Sequence, residues 1–353
     1  MPHDFTKGTT CTICGCSRDA VKRFGWACLD GKPSTTKKSV WKKDVFKELI
    51  PEMRERFRKN NIVLTKEQEE KIAQQLHEVI TYRARLGFFG ETGSGKSSLC
   101  NTLFGDDVAK ISDIAACTRS PQEYLLQLAQ EKDIILVDVP GVGESIKRDD
   151  EYFSLYKSLA PNLDAILWII KADDRAFTTD EKCWKELVRP FIEQDAPVII
   201  VINQVDKFNP LKEWDDEANM PGPQQLISMQ EKVAEVARAF SVPQDRVIPV
   251  SALRGFNIPH LVETVILSLP AQKKIAVLKD IPEKQQTQKA KDDAKNGFFE
   301  TAQRILGDIV RGTGKVVVEV WDAVKPYVGP IFIEILKLWG KKRRKQHDKS
   351  RNA

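Results

Sequence analysis

Between Gly90 and Ser97 the chain reads Gly-Glu-Thr-Gly-Ser-Gly-Lys-Ser, the spacing G-x-x-x-x-G-K-[ST]. Such a loop turns successive backbone N–H groups inward around phosphate oxygens, and a helix starting at its end adds the positive pole of its dipole. Lys96 is placed to reach the β- and γ-phosphates of a nucleotide, and the Ser97 hydroxyl to bind Mg²⁺. Glu91, Thr92, Gly93, Ser94, Gly95 and Ser98 supply the rest of the cradle. Asp138 ends the apolar run Ile134 to Val137, just before Pro140 and Gly141, where a carboxylate holds the hydration shell of the same metal. The chemistry these residue types support is the binding of a Mg²⁺–nucleotide and transfer of its terminal phosphoryl group.

Strands and helices must hold those groups in place. Ala84 to Phe89, Ile134 to Val139, Leu163 to Ile170, Val198 to Ile202 and Val247 to Val250 are short apolar runs, most of them separated by helical stretches. Near-continuous apolar runs suit parallel strands buried on both faces, and the alternation predicts an α/β fold with a mostly parallel, doubly wound sheet. Tyr124 to Leu128 reads as an edge strand. Upstream, Trp41, Val45, Phe46, Leu49 and Ile50 recur at helical spacing until Pro51, and Thr65 with Gln68 forms a capping box before the apolar face of Ile72, Leu76, Val79 and Ile80. The α/β region closes near Leu269 and Pro270. Lys273 to Asn296, short of large apolar residues, reads as a solvent-exposed helix or linker. Phe298 to Val310 reads as an amphipathic helix, and the charges within Val316 to Trp339 argue against a membrane span. The organisation expected is a Cys-containing leader (1–36), N-terminal helices (37–83), the α/β domain (84–270), a C-terminal helical region (271–340) and a basic tail (341–353).

With 353 residues, 41% hydrophobic and 30% charged, the composition fits folded protein rather than disorder. The net charge of +5 is uneven: residues 1–44 carry nine bases and four acids, and residues 341–353 carry seven and one, which leaves the body at −6. The ends rather than the body are therefore suited to anionic partners. No secretory signal follows Met1, so a cytoplasmic location is expected. Seven cysteines, four of them at Cys11, Cys14, Cys16 and Cys28, fit reduced thiols better than disulfides.

The order of motifs resembles a family. GETGSGKS at Gly90 to Ser97, Thr118 in CTRS, DVPG at Asp138 to Gly141, NQVD at Asn203 to Asp206 and SAL at Ser251 to Leu253 resemble the five G motifs of translation-factor-class GTPases. The resemblance covers about Ala84 to Pro270. SSLCNTLF, SDIAACTRSP, LVDVPGVGES and LWIIKADDRA resemble Era-like bacterial GTPases of the YfjP/YeeP type, and the phosphate loop is similar to that of interferon-inducible immunity GTPases. The resemblance implies that Thr118 binds Mg²⁺ and the γ-phosphate, and that the Gly141 amide senses that phosphate. It implies that Asp206 accepts from guanine N1 and N2, that Asn203 helps hold the base, and that the Ala252 amide meets guanine O6. Lys96, Mg²⁺ and loop amides would then stabilise charge on the transferring phosphate while water attacks in line.

The chain departs from the family pattern at Gln204, where the base-reading motif has lysine. Val142 stands where Ras-like enzymes place a water-positioning glutamine, so slow intrinsic hydrolysis is expected, with activation by self-association through the GTPase domain or by a partner. A nucleotide-gated binding module with negligible turnover is the alternative. Gly93 stands where some relatives carry a potassium-binding asparagine.

Cys11-x₂-Cys14 resembles one zinc knuckle, and the text as far as Cys28 is similar to the small zinc-binding domain of bacterial unfoldase ATPases, though Gly31 stands where the fourth ligand would fall. Two readings stand there: a structural Zn²⁺ held by Cys11, Cys14, Cys16 and Cys28, or a reduced leader. Lys341 to Lys345 after the apolar segment ending in Trp339 fit either a peripheral contact with anionic lipid at the inner membrane face or a solvated tail on a packed helix. The tail lacks interleaved aromatics, so no specific nucleic acid partner is indicated.

Overall fold

The structure is a computed structural model and describes residues 63–82, 84–91, 93–105, 134–138, 163–174, 184 and 197–310, with separate positions at 55, 58, 59 and between 321 and 333. The chain divides into two compact units. One contains Ala84–Leu269 and Lys284–Thr287. The other joins residues ahead of the first strand to Pro270–Glu283 and the chain from Gln288 onward.

The first unit is built on five strands, β1 (Ala84–Phe89), β2 (Ile134–Asp138), β3 (Ala165–Lys171), β4 (Val198–Asn203) and β5 (Val247–Pro249). All pair in parallel, in the order β2-β1-β3-β4-β5. Every residue of β4, and all but the last of β3, is buried, which is why these segments read as unbroken apolar runs. Phe88 lies opposite Asp138 on one side of β1 and opposite Leu167 on the other, and Lys171 lies opposite Asn203. The carboxyl ends of the strands therefore share one edge. From β1 the chain passes to β2 on one side and then from β2 to β3 on the other side of β1, and the crevice at such a reversal is where open α/β sheets bind ligands.

Among the described residues, three α-helices belong to this unit: α2 (Lys96–Phe104), α3 (Pro223–Phe240) and α4 (Ile258–Ser268). An aromatic chain runs through its core. Phe89 stacks on Trp168 at 6.3 Å between centroids, Trp168 meets Trp184 edge-on at 5.8 Å, and Trp184 meets Phe240 edge-on at 5.2 Å. Truncating one of these fully buried rings to alanine typically costs about 3–5 kcal/mol. β3 is thus anchored through Trp168, and its end, next to the phosphate loop, is held with it.

The second unit contains α1 (Lys66–Thr81), α5 (Ala271–Leu278) and α6 (Gln288–Val310). The expected capping box is present: Thr65 N–H donates to Gln68 Oε1 at 2.9 Å and Gln68 N–H to Thr65 Oγ1 at 3.2 Å. Ile72, Leu76 and Ile80 form the buried face of α1. At its far end, the buried ammonium of Lys279 donates to Ile80 O at 3.0 Å and Tyr82 O at 3.3 Å, satisfying carbonyls that a helix terminus leaves without partners.

Lys273 to Asn296, expected to be a solvent-exposed helix or linker, is largely helical, and the expected exposure is corrected. Ile275, Ala276, Val277, Leu278 and Ile281 are all buried. The reason lies in small residues: Ala290, Ala294 and Gly297 recur at helical spacing on α6, and a Cβ on Gly297 would come within 2.8 Å of Ala271 O. Close backbone approach does the packing that large side chains do elsewhere. Among the described residues, no helix is long and apolar enough to cross a membrane. The Trp41 to Ile50 helix, the Tyr124 to Leu128 edge strand and the Lys341 to Lys345 tail lie outside the described residues.

Candidate functional site

The loop leaving β1 turns through Gly90 (φ 137°), Gly93 (φ 82°) and Gly95 (φ 85°), backbone that L-residues rarely adopt. Space forbids a side chain as well: a Cβ at Gly90 would lie 2.0 Å from Ile169 O. Helix α2 begins at Lys96, so Lys96 and Ser97 occupy its first turn and the amino end of its dipole faces the loop. Lys96 is buried, and its Nζ donates to Gly90 O at 3.2 Å and Glu91 O at 3.1 Å, inside the turn that phosphate would fill. Phosphate oxygens offer this ammonium a charged acceptor in place of two neutral carbonyls, a stronger bond.

The second cluster comes from the ends of β4 and β5. Asn203, 1% exposed, donates from Nδ2 to Ser94 O at 2.9 Å, and its Oδ1 accepts from Ala252 N–H at 3.0 Å. One side chain thus ties the phosphate loop to the Ser251 to Leu253 segment. Gln204 Nε2 donates to Gly93 O at 3.0 Å, a second tie to the same loop. Asp206 lies two residues beyond, its side chain 11% exposed, with Arg254 Nε 3.8 Å from Oδ2. Arg254 is itself held over the Trp214 ring at 5.2 Å and bonded to Asp216. Leu253 projects into solvent at 87% exposure.

Charges at the loop are balanced by its neighbours. The Glu91 carboxyl is pushed above its ordinary value, first by burial, then by the nearby Asp174 carboxylate, against the opposing pull of Lys171 and Lys96. Lys171 ends β3, and its Nζ is 3.7 Å from where a Cβ on Gly93 would stand. A second ammonium therefore flanks the phosphate loop.

Of the residues singled out in the sequence, Glu91, Gly93 to Ser98, Asn203, Gln204, Asp206 and Ser251 to Leu253 are described and gather at the carboxyl edge of β1 and β4. Asp138 ends β2, adjacent to β1. Thr92, Thr118 and Gly141 lie outside the described residues, as do Val142 and the cysteines Cys11, Cys14, Cys16 and Cys28. Among the described residues no three His, Cys, Asp or Glu side chains gather as a metal site. Mg²⁺ favours hard oxygen donors and keeps several waters, and the Ser97 hydroxyl and Asp138 carboxyl, on elements next to the loop, fit that donor set. The Ala252 amide, which the resemblance implies meets guanine O6, donates here to Asn203 Oδ1. Arg254, Lys171 and Lys207 were not singled out in the sequence. Arg254 directly follows Ser251 to Leu253 and Lys207 directly follows Asp206, so adjacency to a motif was the available signal, whereas Lys171 offered none.

Comparison with known proteins places the chain in a family. A family model described as 50S ribosome-binding GTPase matches residues 85–204. The uncharacterized protein YfjP of Escherichia coli (strain K12) is 36% identical over 240 residues, 68% of this chain and 81% of YfjP. GTPase Era of Aquifex aeolicus (strain VF5) is 30% identical over 184 residues, 51% of this chain and 55% of Era. A crystal structure of an Aquifex aeolicus Era variant bound to GDP·AlF4− aligns with 53% of this chain and 56% of that chain, at 27% identity and a TM-score of 0.39. A chain with this relation to YfjP, and with a phosphate loop tied to the Ser251 to Leu253 segment by Asn203, belongs to the Era-like bacterial P-loop GTPases.

Proposed function

We propose that this protein hydrolyses GTP to GDP and phosphate, slowly on its own and faster when a second copy or a partner completes the site. The observation that carries the reading is the Asn203 junction, which sets a base-reading acid, Asp206, beside a phosphate loop through a single buried side chain. Asp206 accepts from N1 and N2 of guanine, a donor pattern adenine lacks. Lys96 and the loop amides hold the phosphates and take up charge as it grows on the transferring group. Ser97, Asp138 and Thr118 are the residues that would hold Mg²⁺, which when bound offsets charge on the phosphate oxygens. Val142, following Gly141, brings no amide side chain to position water, which supports a low rate for the isolated protomer.

The same sequence observation favours a second reading, in which GTP orders the segments around Thr118 and Gly141 with negligible turnover, and the protein acts as a gated binding module. Under either reading we place the protein in the cytoplasm, with the basic tail available to an anionic membrane surface. The test is GTP turnover per protomer across a range of protein concentrations, with ATP and Lys96→Ala as controls. Turnover rising with concentration supports self-activation, and turnover absent at every concentration with intact GTP binding supports the gated module. Failure of the native chain to bind GTP overturns both.

A further inference from the structure

The residue that replaces the lysine of the base-reading motif has a partner of its own. Gln204 adopts left-handed backbone, φ 67°, at the entrance to a 3₁₀ turn, Val205–Lys207. Its Nε2 donates to Gly93 O at 3.0 Å, and its Oε1 accepts from Lys207 Nζ at 2.7 Å. Side chains three residues apart lie over one another in 3₁₀ geometry, which brings Lys207 back above Gln204. An amide accepts at one end and donates at the other, so a cation bound at Oε1 polarises the group and strengthens the bond made at Nε2. Lys207 also lines a cavity with Asp173, Asp174, Glu231 and Glu235, and the bond to Gln204 Oε1 directs its Nζ to the amide. Lys207 is exposed and Gln204 half-buried, so the pair reaches from the surface to the phosphate loop.

We propose that Gln204 and Lys207 together form a divided replacement for one lysine: Gln204 bonds the phosphate loop at Gly93, and Lys207 supplies the positive charge and fixes the amide. Lys207 is then a positioning residue for guanine nucleotide, acting through Gln204. The inference rests on the guanine-nucleotide reading above. It accounts for a local conflict in the sequence, since a neutral amide at this position by itself leaves a polyanion without one cation and leaves the amide free to rotate. It also makes the order Asn-Gln-Val-Asp-Lys a unit in which the fifth residue compensates the second.

The experiment measures the dissociation constant of GDP by calorimetry for the full native chain, Lys207→Met, Lys207→Arg, Gln204→Lys and the double variant Gln204→Lys/Lys207→Met. An exposed, charge-assisted bond sets the scale, so Lys207→Met is expected to weaken GDP binding roughly fivefold, with Lys207→Arg within about twofold of native. In the Gln204→Lys background, where a lysine can reach Gly93 directly, Lys207→Met is expected to change the constant by less than about twofold. The urea midpoint of the nucleotide-free protein should be the same for native and Lys207→Met, since Lys207 is exposed. An equal loss in both backgrounds, or no loss in the native background, overturns the proposal. Absence of GDP binding by the native chain removes the guanine-nucleotide reading itself, a result distinct from either.

Discussion

Asn203→Ala tests whether one side chain holds the two halves of the site together. The residue is 1% exposed, and its loss removes the partner of Ser94 O and of Ala252 N–H at once. A buried backbone group left without a partner costs about 1–3 kcal/mol, so two cost about 2–6 kcal/mol. Water entering the space vacated by the carboxamide relieves part of this, which puts the expected loss near 3 kcal/mol, a large share of the roughly 5–15 kcal/mol that keeps a domain folded. The assay is urea unfolding of the nucleotide-free protein followed by tryptophan fluorescence, with Trp168 and Trp214 buried in the same unit. At a urea slope of about 1–3 kcal/mol per molar, the midpoint should fall by about 1–3 M. Asn203→Asp separates the two bonds, because it keeps the acceptor for Ala252 and sets an anion against Ser94 O. Its deficit should deepen as pH rises through the carboxylate range. A loss below about 1 kcal/mol for Asn203→Ala would refute the claim that this side chain closes the junction.

Three further outcomes are expected. Gly95→Ala places a Cβ 2.4 Å from Asn203 Nδ2 at φ 85°, adding about 1–2 kcal/mol of backbone strain to the displaced bond; GDP titration should show at least about tenfold weaker binding. Glu91→Gln should stabilise the nucleotide-free protein increasingly as pH rises. A carboxyl whose folded value lies above its ordinary 4.5 contributes stability below 4.5 and loses it as pH climbs through the raised value, and unfolding free energy measured against pH should show the variant pulling ahead over that interval. Lys279→Met deprives Ile80 O and Tyr82 O of a charged donor and should cost the helical unit about 2–3 kcal/mol, read as faster amide exchange at the end of α1.

Much of the first unit was legible because its physics is local in sequence. A strand buried on both faces is apolar throughout, so the runs beginning at Ala84, Leu163 and Val198 could be read without knowing their neighbours. The phosphate loop was legible because its glycines meet steric limits that the spacing itself encodes. The packing of α5 on α6 was not legible, since it depends on Ala290, Ala294 and Gly297 meeting a second helix, and small residues look like a linker until the partner surface is known. At the site, the identity of Asn203 and Asp206 could be read, but the work Asn203 does could not. Its resemblance-based role was to hold the base, and the structure shows it holding Ser94 and Ala252. Arg254 beside Asp206 and Lys171 beside Gly93 are long-range juxtapositions made by the sheet, and such pairings leave no periodic trace in a sequence.

The helical unit is assembled from segments on either side of the GTPase domain in the chain. Ile80 and the lysine that caps its helix stand 199 residues apart, and Gln68 bonds Ile309 O across 241. During synthesis, α1 therefore leaves the ribosome well before the helices that cover it. At about 5–20 residues per second, the apolar face of Ile72, Leu76 and Ile80 waits roughly 10–40 seconds for α5 to be made. In that interval the GTPase domain between them can fold, and the nascent chain carries α1 without the α5 and α6 that later pack on it. The growing polypeptide, more than the finished protein, is where this molecule has most need of a chaperone.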